Sequence, residues 1–389
     1  MEVELISNKA ELRDRKRIAF FRPNLWPLAN TRVEEEFRKQ FPDHEIDVIN
    51  IKPWVMENPR IILANSIITM LLYGSSIVSG NKRFREAFWH TPYIFREVKM
   101  LILKRLSRSR LLFTFQMQSL FDCSLPQVPH FVYTDHTHLA NLNYLNFNPK
   151  GLFAQKWIEL EKQIYSNAMT TFVRSSNIRQ SLVEQYGYPA EPTVCVYAGS
   201  NVNVSDLTYK EKSYAEKNIL FVGLDWKRKG GPELIAAFRA ILKQHPDATL
   251  TIVGAQPRVD VPNCTTLGKL PPEEVGRYYE KATIFCMPTH VEPFGIAFLE
   301  AMQARLPVVG TRVGAVPDFV QDGWNGFLVD PGDVQGIAEA LIKLLNHPDQ
   351  RRQFGERGFA LATERYSWDM VGRRLYRYIL EKLAYYDEK

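Results

Sequence analysis

Among the 389 residues of this chain, the first that could do chemistry together are two glutamates around a Pro-Phe-Gly turn. In HVEPFGIAFLEAMQARLPVVGTRVGAVPDFV, residues 290–320, Glu292 precedes Pro293, Phe294 and Gly295, and Glu300 follows on a segment with helical spacing. Proline sits well at a helix start, and glycine lets a ligand come close to the backbone. The N–H groups that begin such a helix, with its dipole, make an anion site suited to a diphosphate. A carboxylate in the loop and another along the helix can accept hydrogen bonds from several hydroxyls of one elongated ligand. Alone, the spacing fits two surface glutamates on an amphipathic helix better. Two companion segments tip the balance toward a binding site.

The first companion is ILFVGLDWKRKGG, residues 219–231. An apolar run ends at Gly223, and Lys227, Arg228 and Lys229 precede the Gly230-Gly231 pair that opens the next helix. A cation cluster beside a helix start, at the carboxyl end of a strand, is a phosphate clamp. The second is HFVYTDHTHLANL, residues 130–142, where Asp135, His136 and His138 follow a strand. A His-x-His pair raises the question of a metal. No further His or Cys cluster is close in sequence to complete such a site, so these residues read as a polar active-site wall.

The elements that must position these side chains alternate strand and helix, which predicts α/β architecture with parallel sheets. RIAFF, HEIDVINI, HFVYT and TTFVR are the strands of the first half, and GLFAQKWIELEKQIYSNA is a helix with Trp157, Leu160 and Ile164 on one side. A polar stretch over residues 194–217 reads as a linker. Beyond it five strands, ILFVG, ATLTIVG, TIFCMP, PVVGT and GFLVD, alternate with helices as in a doubly wound sheet, whose ligands lie outside the carboxyl ends of the strands.

Composition is ordinary for a folded chain, 45% hydrophobic and 24% charged, and excludes global disorder. Four scattered cysteines, Cys123, Cys195, Cys264 and Cys286, read as buried thiols of a reducing compartment. The charged N-terminal peptide lacks the apolar core of a signal sequence, so the expected address is the cytoplasm. The whole net charge of +6 falls in residues 1–200, and residues 82–110 hold nine basic residues against Glu86 and Glu97. Such a field attracts phosphates. It lacks the aromatic interleaving of a nucleic-acid surface. Residues 61–80 carry no charge over the length of a membrane span, but Asn65, Ser66 and Thr69 make them polar for one, and a buried helix of the first domain is expected. Residues 95–113 fit either a helix lying on an anionic membrane or a solvated basic face.

In order and spacing, VG…RKGG, EPFGIAFLEAM, PVVGTRVGAVPDFV and DGWNGFLVDPGD resemble the retaining glycosyltransferases of family four (glycosyl transferases group 1), over about residues 219–345. The resemblance implies the GT-B fold: two doubly wound, Rossmann-like domains facing a cleft, here residues 1–204 on the acceptor side and 205–367 on the donor side. The last helix, 368–389, would pack back on the first domain. It implies that Glu292 contacts hydroxyls of the donor sugar, and that amides around Phe294, Gly295, Ile296 and Ala297 contact sugar and phosphate. Glu300 would hold the ribose, Arg228 and Lys229 would neutralise the leaving diphosphate, Leu270 would hold the base through its backbone, and His136 would stand beside the sugar. The sequence departs from the family pattern in three places. Leu224 stands where an arginine is common, with Arg228 or Lys227 as its substitute. FRPNLWPLANT replaces an early glycine-rich loop, and Asp318 stands for a glutamate.

The implied activity is a retaining transfer of sugar, without metal or other cofactor, to a hydroxyl of a saccharide or lipid-linked saccharide. The donor would be a nucleotide sugar, a UDP-sugar such as UDP-glucose before GDP-mannose, and the setting polysaccharide or envelope glycan assembly. Contact with an anionic membrane through 82–110 would place the protein at the inner face of the membrane. Alternative readings are a nucleotide-sugar epimerase or a phosphorylase of the same fold, a degenerate member that binds without transfer, or a non-catalytic membrane-surface adaptor.

Overall fold

The computed structural model describes residues 17–24, 29–145, 147–200 and 213–387. It divides into two compact units, Met1–Tyr197 with Val371–Lys389, and Ala198–Met370. The junction expected at residues 204 and 205 lies outside the described residues, as do residues 1–16 and part of FRPNLWPLANT.

In the first unit β1 (Arg17–Arg22), β2 (Glu45–Asn50), β3 (Phe113–Met117), β4 (His130–Thr134), β5 (Thr170–Val173) and β6 (Thr193–Cys195) form one sheet in the order β2-β1-β3-β4-β5-β6. All its pairings are parallel. Every residue of β3, β4 and β5 is buried, as expected where both faces of a parallel sheet are covered. Phenylalanines fill one such layer: Phe20 stacks on Phe115 at 5.4 Å, and Phe37 of α1 (Ala29–Gln40) lies 4.4 Å from the Phe115 ring.

The strands read from the sequence omit β3 and β6. In β3 the apolar run is broken by Thr114 and Gln116, which are buried and satisfied. Thr114 Oγ1 lies 2.7 Å from His130 Nδ1, and the Gln116 amide donates to the carbonyls of Gln118 and Phe121 at 2.7 and 2.8 Å. β6 is a three-residue edge that overlaps the start of the stretch read as linker. HEIDVINI is a strand only to Asn50, because Ile51 begins α2 (Ile51–Met56).

Three further helices follow: α3 (Pro59–Val78), α4 (Phe84–Phe88) and α5 (Pro92–Leu106). α3 corrects the expectation of a buried helix at 61–80. Its buried stripe is Ile61, Asn65, Thr69 and Tyr73, while Leu63, Ile67, Met70, Leu71 and Val78 are exposed. α5 starts at a capping Thr91, whose Oγ1 accepts from the Ile94 N–H at 3.1 Å, and buries Ile94, Phe95, Val98 and Ile102. Two of the nine basic residues turn inward: Lys82 donates to the carbonyls of Gly151 and Leu152, and Lys99 pairs with Asp122 at 2.8 Å. Among the described residues, α6 (Gln155–Ser166) and α7 (Ser176–Glu184) are the remaining α-helices before residue 197.

The second unit contains β7 (Asn218–Gly223), α8 (Gly231–Ile241), β8 (Thr249–Gly254), β9 (Cys264–Thr266), α9 (Pro272–Lys281), β10 (Ile284–Cys286), α10 (Ile296–Gln303), β11 (Val308–Thr311), α11 (Val316–Phe319), β12 (Gly326–Val329), α12 (Val334–Asn346) and α13 (Pro348–Arg365). Its strands, all parallel, lie in the order β12-β11-β10-β7-β8-β9. Against the five strands read from the sequence, β9 is the addition, again three residues at an edge. The last helix, α14 (Trp368–Asp387), packs on the first unit: Tyr376 lies 5.0 Å from the Phe41 ring, and Lys382 pairs with Glu191 at 2.7 Å. All four cysteines are free. Cys123 and Cys286 are buried, whereas Cys195 and Cys264 are partly exposed, which corrects the reading of four buried thiols.

Candidate functional site

β7 and β10 are neighbours in the second sheet, yet the chain leaves β7 toward β8 and β9 before returning to β10 on the other side. Strand order reverses between them, and parallel sheets bind ligands outside the carboxyl ends of strands at such a point. The loop after β7 carries Lys227, Arg228 and Lys229, and the stretch after β10 carries Glu292. A tight turn closes the first loop: the Lys229 N–H donates to the Asp225 carbonyl at 2.9 Å, and the Gly231 N–H to that of Trp226 at 2.9 Å. Gly230 adopts φ +74°, the left-handed region, where a Cβ would overlap the Pro288 carbonyl. That close approach sets Lys229 against Glu292. Their side chains form an ion pair, 13% and 6% exposed.

Arg228 is tied to the same stretch. Its Nη1 donates to the Val291 carbonyl at 2.6 Å, and its own carbonyl accepts from the His290 N–H at 2.9 Å and from Thr289 Oγ1 at 3.1 Å. Asp225 holds the other side of the guanidinium at 3.3 Å. Lys227 is exposed, as is Leu224.

Gly295 is the residue before α10, at φ +102°, with the position of a Cβ only 2.9 Å from Phe319 Cζ. No side chain caps α10, so the amides of its first turn, at Ile296 and Ala297, and its dipole are available to an anion. Phe294 is buried, its ring 5.9 Å from Phe319. Farther along, buried Glu300 accepts from Tyr279 Oη at 2.9 Å. Burial, reinforced by the Glu300 charge, pushes the Tyr279 phenol well above its usual range and keeps it protonated.

The structure thus brings Arg228, Lys229, Glu292, Phe294, Gly295, Ile296, Ala297 and Glu300 into one neighbourhood. Leu270 is on a different loop, between β9 and α9, whose Gly268 carbonyl accepts from the Gly254 N–H at 2.7 Å. Tyr279 escapes the sequence reading. Its one signal is a spacing of four from Val275 on α9, which puts it on the inner face.

His136 belongs to the first unit, two residues beyond β4. Burial holds its imidazole below the usual range, against the pull of Asp135. Asp135 pairs with buried Arg174 at 3.2 Å, and that guanidinium lies over the Tyr133 ring at 4.9 Å. His138 is not part of a polar wall. Its Nε2 accepts from the Phe153 N–H at 2.8 Å, its ring stacks on Phe153 at 4.9 Å, and desolvation pushes its pKa down to about 3, so it is a neutral, partly buried packing residue. Beneath both histidines lies Glu161, also unforeseen. It accepts from Ser119 Oγ, Tyr165 Oη, Tyr186 Oη and the His138 N–H. Burial still raises its pKa to about 7. A lone carboxylate four residues after Trp157, on the apolar stripe of α6, was the available signal. Among the described residues, no group of three or more His, Cys, Asp or Glu side chains comes together as a metal site would.

Residues 209–360 match the glycosyl transferases group 1 family. A D-inositol 3-phosphate glycosyltransferase of Corynebacterium kroppenstedtii is 31% identical over 245 residues, 55% of this chain and 54% of that protein. A GDP-mannose-dependent monoacylated alpha-(1-6)-phosphatidylinositol monomannoside mannosyltransferase of Corynebacterium glutamicum is 34% identical over 164 residues, 38% of this chain and 43% of that protein. The chain spans about half the length of the curated relatives it matches. Among solved structures, sucrose-phosphate synthase from Thermosynechococcus elongatus superposes with a TM-score of 0.66 at 17% identity, over 95% of this chain and 100% of that one. HepE of Anabaena in complex with UDP and glucose gives 0.62 at 15% identity, over 94% and 100%. At such identities the likeness shows the fold. With its two six-stranded parallel sheets the chain has the GT-B fold, and the second unit, over residues 209–360, matches the glycosyl transferases group 1 family.

Proposed function

We propose that this protein transfers a sugar from a nucleotide diphosphate sugar to a hydroxyl of a saccharide or lipid-linked saccharide, with retention of configuration and without a metal. The observation that carries the reading is the Lys229–Glu292 pair at the strand-order reversal, beside the uncapped start of α10. It supplies a cation and helix amides for a diphosphate, and two carboxylates, Glu292 and Glu300, for hydroxyls of sugar and ribose. As the bond from the anomeric carbon to the diphosphate oxygen breaks, negative charge grows on the leaving group. Lys229 then exchanges Glu292 for that charge, and Arg228 adds a second fixed cation. The acceptor oxygen forms the new bond on the same face, and its proton passes to the leaving phosphate.

Leu270 would hold the base and His136 would stand beside the sugar, with the acceptor bound by the first unit. A UDP-sugar such as UDP-glucose is the favoured donor and GDP-mannose the next. Both have support among similar proteins: HepE was solved with UDP and glucose, and the Corynebacterium glutamicum relative is named for GDP-mannose. The product would enter polysaccharide or envelope glycan assembly on the cytoplasmic side of a membrane. Calorimetric titration with nucleoside diphosphates and their sugars, without added metal, tests the reading. One diphosphate should bind tightly to the wild-type chain and lose at least about tenfold in affinity with K229A, as expected for loss of a charge-assisted contact. Equal binding by K229A, or none by any nucleotide, overturns it.

A further inference from the structure

α3 is built inside out. Its buried stripe, Ile61, Asn65, Thr69 and Tyr73, is mostly polar, and its hydrogen bonds are made within the first unit. Asn65 Nδ2 donates to the Phe88 carbonyl at 2.7 Å, Thr69 Oγ1 to that of Asn65 at 2.6 Å, and Tyr73 Oη to that of His90 at 2.8 Å. The opposite side carries Leu63, Ile67, Met70, Leu71 and Val78, spaced 4, 3, 1 and 7 apart, with Leu71 80% and Val78 84% exposed. At 100° per residue these five share one face, which runs about 22 Å along the axis. Scattered exposed leucines need no explanation, but a continuous stripe does.

The surroundings say what covers it. α3 packs against α4 and α5. The exposed edge of α5 reads Arg96, Met100, Lys104, a basic-apolar-basic series at helical spacing. Arg60 begins α3, Arg83 and Arg85 follow its end, and Arg105, Arg108 and Arg110 are also exposed. Across 82–110 the acids are Glu86 and Glu97. An apolar stripe edged by cations fits the boundary between acyl chains and anionic headgroups. A span is a poorer fit, because drawing α3 into a bilayer would strip Asn65 and Tyr73 of their partners at Phe88 and His90.

We infer that this face of α3, with the exposed cations of residues 83–110, docks the protein on an anionic lipid bilayer, with α3 lying in the plane of the interface. The inference goes beyond the proposed transferase reading and would place its acceptor at a membrane surface.

The test is flotation of the full chain with vesicles of phosphatidylcholine alone or mixed with phosphatidylglycerol. Binding is expected to the mixed vesicles, to weaken in high salt, and to fall at least about tenfold in the double variant I67E/L71E, which replaces two exposed side chains of the face. R83E/R85E should weaken binding to the anionic vesicles and leave the weak neutral binding unchanged. Absence of binding to the mixed vesicles, or binding indifferent to I67E/L71E, overturns the inference. So does lipid-free self-association abolished by I67E/L71E, which would give the face to a second copy of the chain. Nucleotide titration of I67E/L71E keeps the two readings apart, since the donor site should be unaffected whichever way flotation turns out.

Discussion

At the scale of single residues, Lys229 and Glu292 are a neutralised pair, which a diphosphate would have to open under the proposed reading. Removing Lys229 leaves the Glu292 carboxylate, 6% exposed, without its partner, which costs about 3 kcal/mol when a pair is this buried. K229A should therefore melt earlier than wild type in the absence of nucleotide, and scanning calorimetry would show it; an unchanged melting temperature would mean the pair is not formed. Glu300 offers a finer test. Tyr279→Phe removes the hydroxyl that fixes Glu300 at 2.9 Å and keeps the ring, so nucleoside diphosphate affinity should fall by about 3- to 10-fold, the worth of one ordinary hydrogen bond. Calorimetry on Y279F checks this, and equal affinity would separate Glu300 from donor binding. Glu292, Glu300 and the Lys-Arg-Lys run were legible in the sequence because their types and spacing belong to one loop each. Which cation faces the carboxylate was not legible. That is decided by the turn hydrogen bonds of Asp225 and Trp226 and by the left-handed Gly230, none of which leaves a mark on side-chain composition.

At the scale of elements, what decided legibility was continuity of apolar runs. Strands such as β7 and β8 announce themselves, whereas β3 hides behind Thr114 and Gln116, and β6 and β9 are too short to show a period. α3 was visible as a helix but its orientation was not: uncharged sequence is the same for a core helix and an exposed one. The difference lies in the carbonyls that α4 and the turn after it offer to Asn65 and Tyr73. The turn between β7 and α8 makes the sharpest prediction at this scale. Gly230→Ala puts a methyl group into the Pro288 carbonyl and strains a left-handed backbone. It should cost several kcal/mol, on the order of a severe backbone mismatch. Nucleotide binding should be lost with it, as urea unfolding and calorimetry on the same sample would show. A variant with wild-type stability would mean that the turn relaxes freely.

At the scale of the whole molecule, buried imidazoles set the response to acid. Burial pushes His90 and His130 down to about 4 and His138 to about 3, from 6.5. A base with a depressed folded pKa contributes stability that is complete above 6.5 and lost as pH falls toward 4, because the unfolded chain takes up protons the fold refuses. Glu161, raised to about 7, acts the other way and gains on acidification between about 7 and 4.5. Three histidines outweigh one glutamate, so the melting temperature should fall steadily from pH 7 to pH 5, and His130→Gln should flatten the slope. A profile level or rising toward acid would contradict these burials. The first unit is also discontinuous along the chain: it takes up residues to Tyr197 and then again from Val371, with all of the second unit in between. On the ribosome the second unit is therefore made whole while the first still waits for α14. Until that helix emerges, Phe41 lacks its Tyr376 neighbour, and the first unit cannot complete its packing.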